Sequence, residues 1–222
     1  MKASATRKIL LAVTATVAVA LAGCAATSRE PANIFSLKQE IRAYVDSGQY
    51  DRDLAAVADR ARAWVEERAA RGGGRLAIVF DLDETLLANW PHISADDFGY
   101  IPARWDAWVR DAKAPAIAPV REVYRTARRL GLEVIFLTGR RERERADTEK
   151  NLRAAECGEF AALICKPDDA RETTEAFKTA ARRRMVAEGR VIVANLGDQE
   201  SDLAGGFAER TFKLPNPFYL TK

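Results

Sequence analysis

The stretch Leu76-Ala77-Ile78-Val79-Phe80-Asp81-Leu82-Asp83-Glu84-Thr85 sets five apolar residues directly before a group of acidic residues. An apolar run of this length, in which polar residues do not alternate with apolar ones, is typical of a strand buried on both faces of a parallel sheet. Three more runs of the same kind follow, at 134–137, 161–165 and 191–194. Helix-like stretches separate the runs, at 119–130, 141–155 and 173–188. The sequence therefore predicts an α/β fold with a doubly wound parallel sheet.

Two amphipathic helices are predicted before the first strand, at 34–45 and 54–69, because apolar residues recur there three and four places apart. The second helix ends at Gly72-Gly73-Gly74. These glycines precede a strand rather than a helix, and no glycine-rich loop ends in Lys-Ser or Lys-Thr. The sequence therefore gives no support for a nucleotide phosphate-binding loop. We expect the folded domain to span 34–222.

Polar residues follow each of the four apolar runs, at the point where each predicted strand ends. Ligands of such sheets bind beyond the carboxyl ends of the strands, so these residues are the candidates for chemistry. In chain order they are Asp81, Asp83 and Glu84, then Thr138-Gly139-Arg140, then Lys166, and then Asp198 and Asp202.

Two carboxylates, Asp81 and Asp83, lie two residues apart after the first strand. One can attack phosphorus as a nucleophile, while the other protonates the leaving oxygen and then deprotonates water. Asp198 and Asp202 are four residues apart and share a face if a helical turn begins there. Together with Asp81 they gather negative charge that a magnesium ion would balance. For a single acid such as Glu84, helix capping or a solvated turn is the simpler alternative.

Composition and charge exclude several classes of site. The 222 residues include 35 Lys plus Arg, 32 Asp plus Glu, one His and three Cys, for a net charge of +3. The whole excess of basic residues lies before position 24, in Lys2, Arg7 and Lys8, so the remainder has no global electrostatic footprint for nucleic acid. With His92 as the only histidine, a clustered-histidine metal site and a two-histidine phosphatase are excluded, and three cysteines cannot form a four-cysteine zinc site. Metal chemistry would therefore use carboxylates.

The N-terminus has the pattern of an export signal. Basic residues precede an apolar run at 9–21, which is short for a membrane span and fits a secretory signal. The sequence Leu21-Ala22-Gly23-Cys24 resembles a bacterial lipobox, which implies a signal peptide over 1–23 and lipidation of Cys24. The alternative is an ordinary secretory signal cut at a nearby small residue such as Ala26.

Residues 24–33 are small and polar and predict a tether between membrane and domain. Ala25, in place of Asp after the lipobox cysteine, resembles lipoproteins sent to the outer membrane. We therefore expect a bacterial cell envelope location, as an outer-membrane lipoprotein, or a periplasmic one without the lipid. Cys157 and Cys165 could pair in an oxidising compartment, but the sequence fixes no distance between them.

Four motifs in this order resemble the haloacid dehalogenase (HAD) superfamily of phosphohydrolases, and the resemblance covers nearly everything from 76 to 220. Asp-Leu-Asp-Glu-Thr is similar to the first motif of that superfamily. The resemblance implies that Asp81 is a nucleophile that becomes phosphorylated. It also implies that Asp83 is the general acid and base, and that its backbone carbonyl binds the metal.

The other three motifs supply the expected phosphate and metal contacts. Thr138-Gly139 is similar to the second motif, which implies hydrogen bonds to phosphoryl oxygens. Lys178 in Phe-Lys-Thr-Ala-Ala-Arg is similar to the third motif and would neutralise charge on the transferred group, with Lys166 as a rival for this role. Asp198 and Asp202 are similar to the fourth motif, which implies that Asp198 binds Mg²⁺ and that Asp202 binds it directly or through water.

Four phrases resemble the acid phosphatase subfamily IIIB, which includes bacterial lipoprotein acid phosphatases and plant vegetative storage proteins. They are Trp105-x-x-Trp108-Val109, Phe136-Leu137-Thr138-Gly139-Arg140, Gly197-Asp198-Gln199-x-Ser201-Asp202-Leu203 and Phe212-Lys213-Leu214-Pro215-Asn216-Pro217. The lipobox agrees with the bacterial branch, whereas the C-terminal phrase is nearer the plant-like one.

The resemblance implies a magnesium-dependent acid phosphatase that acts on small phosphomonoesters outside the cytoplasm, with nucleoside monophosphates as the leading expected substrates. The alternatives are a sugar-phosphate phosphatase or phosphotransferase of the same superfamily, and a non-catalytic binding lipoprotein. No nucleic-acid polymer is expected as a partner.

A small, mainly helical cap is expected at about 87–118, because this segment is too long for a simple loop and is rich in aromatic residues. Trp90 is the candidate for stacking on an aromatic leaving group, with Tyr219 as a weaker second. His92 is expected to form hydrogen bonds within the cap. Three residues at helical spacing predict a core stripe: Trp105, Trp108 and Val109.

Overall fold

The computed structural model of the chain describes residues 30–221. The predicted signal peptide, the lipidation of Cys24 and the tether up to residue 29 lie outside the described residues. The chain divides into two units, 1–33 and 34–222, and the second is the domain described below. Within the described range, none of the helices combines the length and the apolar character that crossing a membrane requires.

A parallel sheet forms the centre of the domain. Its strands are β1 (Arg75–Phe80), β2 (Glu133–Arg141), β3 (Ala162–Lys166), β4 (Arg190–Gly197) and β5 (Thr211–Lys213). They lie in the order β3-β2-β1-β4-β5, with β1 at the centre. The predicted α/β fold is confirmed. The sequence pattern missed β5, because this strand has three residues and buries only Phe212.

Helices cover the sheet on both faces. Those described are α1 (Ile34–Asp46), α2 (Gln49–Ala70), α3 (Trp90–Ala95), α4 (Pro102–Asp111), α5 (Ala118–Arg129), α6 (Arg145–Ala154), α7 (Thr174–Ala187) and α8 (Glu200–Leu203). Successive residues of β1 point into two different cores. Ile78 and Phe80 pack with residues of α2 and α5, whereas Ala77 and Val79 pack with residues of α7. This double burial is the physical reason why the strand lacks polar alternation.

The register of the sheet brings the ends of three strands together. Phe80, the last residue of β1, pairs with Phe136 of β2 and with Leu196 of β4. The N–H of Asp81 donates to the carbonyl of Leu196 over 2.9 Å. The residues that follow β1, β2 and β4 therefore meet at one edge of the sheet, which we call the carboxyl edge.

Two further segments close over the carboxyl edge. The cap, residues 87–117, carries α3 and α4 between β1 and α5. The C-terminal tail, residues 214–221, follows β5 and packs its Phe218 ring against Trp90 of the cap, with 5.1 Å between ring centroids. On the outer side, Lys38 of α1 forms an ion pair of 2.6 Å with Asp97 of the cap.

Cys157 and Cys165 are both buried free thiols. The disulfide that the sequence left open is therefore not formed between them. Burial raises the pKa of both thiols to about 11, so neither is a reactive thiolate at neutral pH.

Candidate active site

Asp81 lies at the bottom of the carboxyl edge, directly after β1. Its backbone N–H is held by Leu196 of the neighbouring strand, and its residue exposure is 7%. Burial raises the pKa of the Asp81 carboxyl well above its usual range, and the cation of Lys178 acts in the opposite direction. Asp81 is therefore rigidly placed and largely desolvated, and Lys178 is the group that favours its charged form.

Lys178 projects from α7 into the same site and is 2% exposed. Its ammonium donates to Asp81 Oδ1 over 2.5 Å and to Asp202 Oδ1 over 2.6 Å. Burial alone lowers the pKa of Lys178, but the two carboxylates outweigh this and raise it. Lys166, the rival for this role, instead donates to the backbone carbonyl of Glu172 over 2.6 Å. The structure therefore brings Lys178, and not Lys166, to the acids.

Three buried carboxylates form a cluster suited to a metal ion. Asp81, Asp198 and Asp202 each place one oxygen within 4.8 Å of the others. One lysine balances only part of this charge, and hard carboxylate oxygens are the donors that Mg²⁺ prefers. A Cβ on Gly197 would lie 2.4 Å from Cβ of Asp202, so glycine is what permits this close approach.

Asp198 is oriented by side chains from three parts of the chain. Its Oδ2 accepts from Gln199 Nε2 and from Asn216 Nδ2, each over 2.7 Å, and its Oδ1 accepts from Thr85 Oγ1 over 3.1 Å. Burial and the neighbouring Asp202 raise the pKa of Asp198. The hydrogen-bond donors leave the carboxylate in a fixed orientation within the cluster.

Asp83 has a different environment from Asp81, although only one residue separates them. Arg140, from the end of β2, donates to Asp83 Oδ1 from Nη2 over 2.7 Å, and Asn89 Nδ2 donates to the same oxygen over 2.9 Å. Burial by itself raises the pKa of Asp83, but Arg140 and Asn89 overcome it and hold this pKa below its usual value. The environments of Asp81 and Asp83 therefore shift the pKa values of the two carboxyl groups in opposite directions.

The three residues of the second predicted motif, Thr138 to Arg140, have different surroundings. Thr138 is completely buried, and its hydroxyl accepts from the N–H of Arg140 over 3.1 Å. Gly139, the next residue, lines the cavity above Asp81, whereas Thr138 is not among the lining residues. Arg140, for which the sequence predicted no role beyond membership of this motif, is the residue that donates to Asp83.

A cavity of about 630 Å³ opens over these acids and is walled by aromatic residues of the cap and the C-terminal tail. The aromatic lining residues are His92, Phe98, Tyr100, Trp105, Phe218 and Tyr219. His92 stacks on Trp108 with 5.7 Å between ring centroids, and its Nδ1 lies 3.7 Å from Asp96 Oδ2. That His92 forms hydrogen bonds within the cap stays a prediction.

The structure corrects the predicted roles of two tryptophans. Trp90 does not line the cavity, because its ring packs against Phe218 and Phe98 behind the wall. Trp105, predicted as part of a core stripe, lines the cavity instead and lies 5.7 Å from the Arg140 guanidinium. Of the predicted stripe, Val109 is fully part of the core.

Glu84, one of the acidic residues predicted at the end of the first strand, belongs to the site, although the sequence left its role open. It is buried, with φ of 56°, and its carboxylate accepts from the backbone N–H of Asn89 over 2.7 Å and from the Tyr219 hydroxyl. Burial, with a contribution from Asp83, raises the pKa of Glu84 to about 8. The alternative of a solvated turn acid is therefore wrong for Glu84, and local sequence held no signal for its distant partner Tyr219.

Known proteins match this chain over most of its length. The family model described as HAD superfamily, subfamily IIIB (acid phosphatase), matches residues 6–222. Acid phosphatase 1 of Solanum lycopersicum is 37% identical over 184 residues, covering 81% of this chain and 72% of its own. Vegetative storage protein 1 of Arabidopsis thaliana is 30% identical over 196 residues, covering 84% of this chain and 73% of its own.

The fold is also that of a solved structure. The class C acid phosphatase from Bacillus anthracis superposes with a TM-score of 0.69 at 23% identity, covering 83% of this chain and 86% of its own. At this level of identity the likeness supports the fold.

The expected bacterial cell envelope location is wrong. The curated relatives that match come from plants: Solanum lycopersicum, Glycine max and Arabidopsis thaliana. The resemblance of the N-terminus to a lipobox had carried that expectation, and a short apolar segment with a cysteine is a weaker signal than similarity along the whole domain. The match over residues 6–222 and the relatives at 30% identity or more show that this chain belongs to subfamily IIIB of the HAD superfamily, the acid phosphatases, and is a phosphomonoesterase.

Proposed function

We propose that this chain is a magnesium-dependent acid phosphatase that hydrolyses small phosphomonoesters, nucleoside monophosphates among them, through an aspartyl-phosphate intermediate. One observation carries the proposal. Asp81 shares the buried ammonium of Lys178 with Asp202, while Asp83 is held apart on Arg140. One acid is thus placed to attack phosphorus and the other to move protons.

In the first step, a carboxylate oxygen of Asp81 forms a bond to phosphorus. The bond between phosphorus and the leaving oxygen breaks, and its electron pair stays on that oxygen. Asp83 gives its proton to the leaving oxygen, so that an alcohol departs and Asp83 becomes a carboxylate. Lys178 and the Thr138-Gly139 segment are assigned to the phosphoryl oxygens, where a fixed cation and oriented donors stabilise developing negative charge.

In the second step, Asp83 takes a proton from a water molecule whose oxygen attacks the phosphorus. The bond between phosphorus and Asp81 breaks and returns the electron pair to the Asp81 carboxylate. Inorganic phosphate leaves, and Asp83 is again protonated. Both residues therefore end the cycle in their starting states.

The residues that would hold Mg²⁺ are the cluster of Asp81, Asp198 and Asp202, with the backbone carbonyl of Asp83. The charge of the cluster supports this assignment, because three buried carboxylates face one lysine. When bound, the ion would offset the repulsion between the attacking carboxylate and the phosphate dianion. Asn216 and Gln199 would keep Asp198 oriented toward the ion.

The aromatic wall of the cavity favours a substrate whose leaving group carries a planar ring, such as a nucleobase. Trp105 and Tyr219 lie on the lining, together with His92. Aromatic faces of this kind stack on nucleobases with about 1–3 kcal/mol per base. The volume of about 630 Å³ is within the range of small-molecule sites.

The decisive experiment is hydrolysis of p-nitrophenyl phosphate with and without EDTA. We expect turnover that EDTA abolishes and that added Mg²⁺ restores. A protein that binds the metal but releases no p-nitrophenol would contradict the proposal. A panel of nucleoside monophosphates and sugar phosphates, with and without an added alcohol acceptor, then separates a nucleotidase from a sugar-phosphate phosphatase and from a phosphotransferase.

A further inference from the structure

Asn89 has the position of a helix cap without acting as one. It is the N-cap residue of α3, but its side chain makes no capping hydrogen bond. Asparagine is among the best N-cap residues because its side chain normally binds the first free N–H groups of the helix. Here the side chain is completely buried and points away from that task. We propose that Asn89 is a positioning residue that holds Asp83 in the orientation required for proton transfer, an inference that rests on the proposed function.

Every polar atom of the Asn89 side chain has a partner. Its Nδ2 donates to Asp83 Oδ1 over 2.9 Å and to Glu84 Oε2 over 3.2 Å. Its Oδ1 accepts from Trp108 Nε1 over 2.8 Å. Because the indole nitrogen can only donate, it fixes which end of the amide faces the acids. Trp108 of the cap thereby orients the amide group that binds Asp83.

The contacts distinguish the two oxygens of Asp83. Oδ1 receives Asn89 Nδ2, Arg140 Nη2 at 2.7 Å and Arg140 Nε at 3.1 Å. Among residues 30–221, Oδ2 receives a single donor, Arg140 Nε at 3.1 Å. Amide and guanidinium groups that donate cannot also accept the proton of a carboxylic acid. Oδ2, with fewer donors than Oδ1, is therefore the oxygen with lone-pair capacity left for the proton that Asp83 delivers.

This assignment makes a prediction that depends on the leaving group. An alkyl alcohol is a poor leaving group and needs the Asp83 proton as the P–O bond breaks, whereas p-nitrophenolate leaves without it. Misplacing Asp83 should therefore slow the hydrolysis of an alkyl phosphate more than that of p-nitrophenyl phosphate. The value of kcat/KM reports this first step for both substrates.

The test compares Asn89→Ala with the wild-type enzyme on glycerol phosphate and on p-nitrophenyl phosphate. We expect kcat/KM to fall roughly 10- to 100-fold for glycerol phosphate, which is part of the roughly 10²- to 10⁴-fold that general acid catalysis contributes. For p-nitrophenyl phosphate we expect a fall of less than about threefold. An equal fall for both substrates would overturn the positioning role. If the wild type turned over neither substrate, the proposed function would instead be refuted.

Two further variants separate positioning from folding. Trp108→Phe removes the donor that orients the amide while keeping an aromatic ring, and we expect a smaller loss that is again greater for the alkyl substrate. Asn151→Ala is the matched control, since Asn151 is also buried but donates to the carbonyl of Ala114. We expect it to lower the thermal midpoint while leaving the ratio of the two kcat/KM values unchanged. If Asn89→Ala fails to fold, Trp108→Phe decides, and a ratio equal to that of the wild type would overturn the proposal.

Discussion

The carboxyl edge of the sheet and the cap contribute to the same cavity by different means. At the carboxyl edge, Asp81 and Asp198 take their places from strands β1 and β4, whose register fixes them side by side. In the cap, Trp90 and Trp105 are held by side chains from distant parts of the chain. Backbone geometry therefore determines the positions of the residues at the carboxyl edge, whereas side-chain packing determines those of the cap residues. Chemistry is assigned to the first region and selection of the leaving group to the second.

The largest expected effect tests the carboxyl edge alone. In Asp81→Asn the nucleophile is lost while the shape of the side chain is kept. We expect the rate with p-nitrophenyl phosphate to fall by roughly 10⁴-fold or more, as for removal of other catalytic nucleophiles. Initial rates at saturating substrate measure it, and a variant that keeps a tenth of the wild-type activity would refute an aspartyl-phosphate mechanism.

The two lysines of the carboxyl edge offer a matched comparison. Lys178→Met leaves Asp81 and Asp202 without their shared cation, and we expect a loss of about 10³-fold in kcat, comparable to removing an oriented donor from an active site. Lys166→Met removes a contact to the carbonyl of Glu172 and should keep kcat within about threefold. The reverse order of the two losses would show that Lys166 serves the phosphate.

Glu84 connects the two regions and predicts how stability depends on pH. Its pKa is raised from 4.5 to about 8 in the folded state, so the protonated form favours folding. This contribution is fully present below about pH 4.5 and is lost as pH rises through about 8. Since one pKa unit corresponds to about 1.4 kcal/mol, the contribution is on the order of 5 kcal/mol.

Thermal unfolding of the metal-free protein between pH 5 and 8.5 measures this contribution. The wild type should lose stability relative to Glu84→Gln as the pH rises, because the glutamine does not titrate. Parallel curves for the two proteins would show that Glu84 keeps an ordinary pKa.

The smallest expected effect tests the cap. Trp105→Ala removes a wall of the cavity, and we expect KM for a nucleoside monophosphate to rise about tenfold, the cost of one lost stacking contact, with little change for glycerol phosphate. Trp90→Ala removes a ring that packs behind the wall and should mainly lower the thermal midpoint. A larger rise in KM for Trp90→Ala than for Trp105→Ala would reverse the assignment of the two rings.

Much of the fold could be predicted from the sequence because its signals are local. The apolar runs predict β1 to β4, and the residues after them predict the positions of Asp81, Asp198 and Asp202 at one edge. The short β5 could not be predicted, because three residues carry too little periodicity. The burial of Glu84 could not be predicted either, since it depends on Tyr219, 135 positions further along the chain.

By itself the sequence determined the class of fold and the gathering of acids, because continuous apolar runs specify buried parallel strands and parallel strands end at the same edge. Only the tertiary structure decided between Lys178 and Lys166 as partner of Asp81, and between Trp105 and Trp90 as wall of the cavity. The physical reason is that the residues packed around a side chain determine which partner it can contact. Those neighbours come from helices and tails that are far apart in the chain.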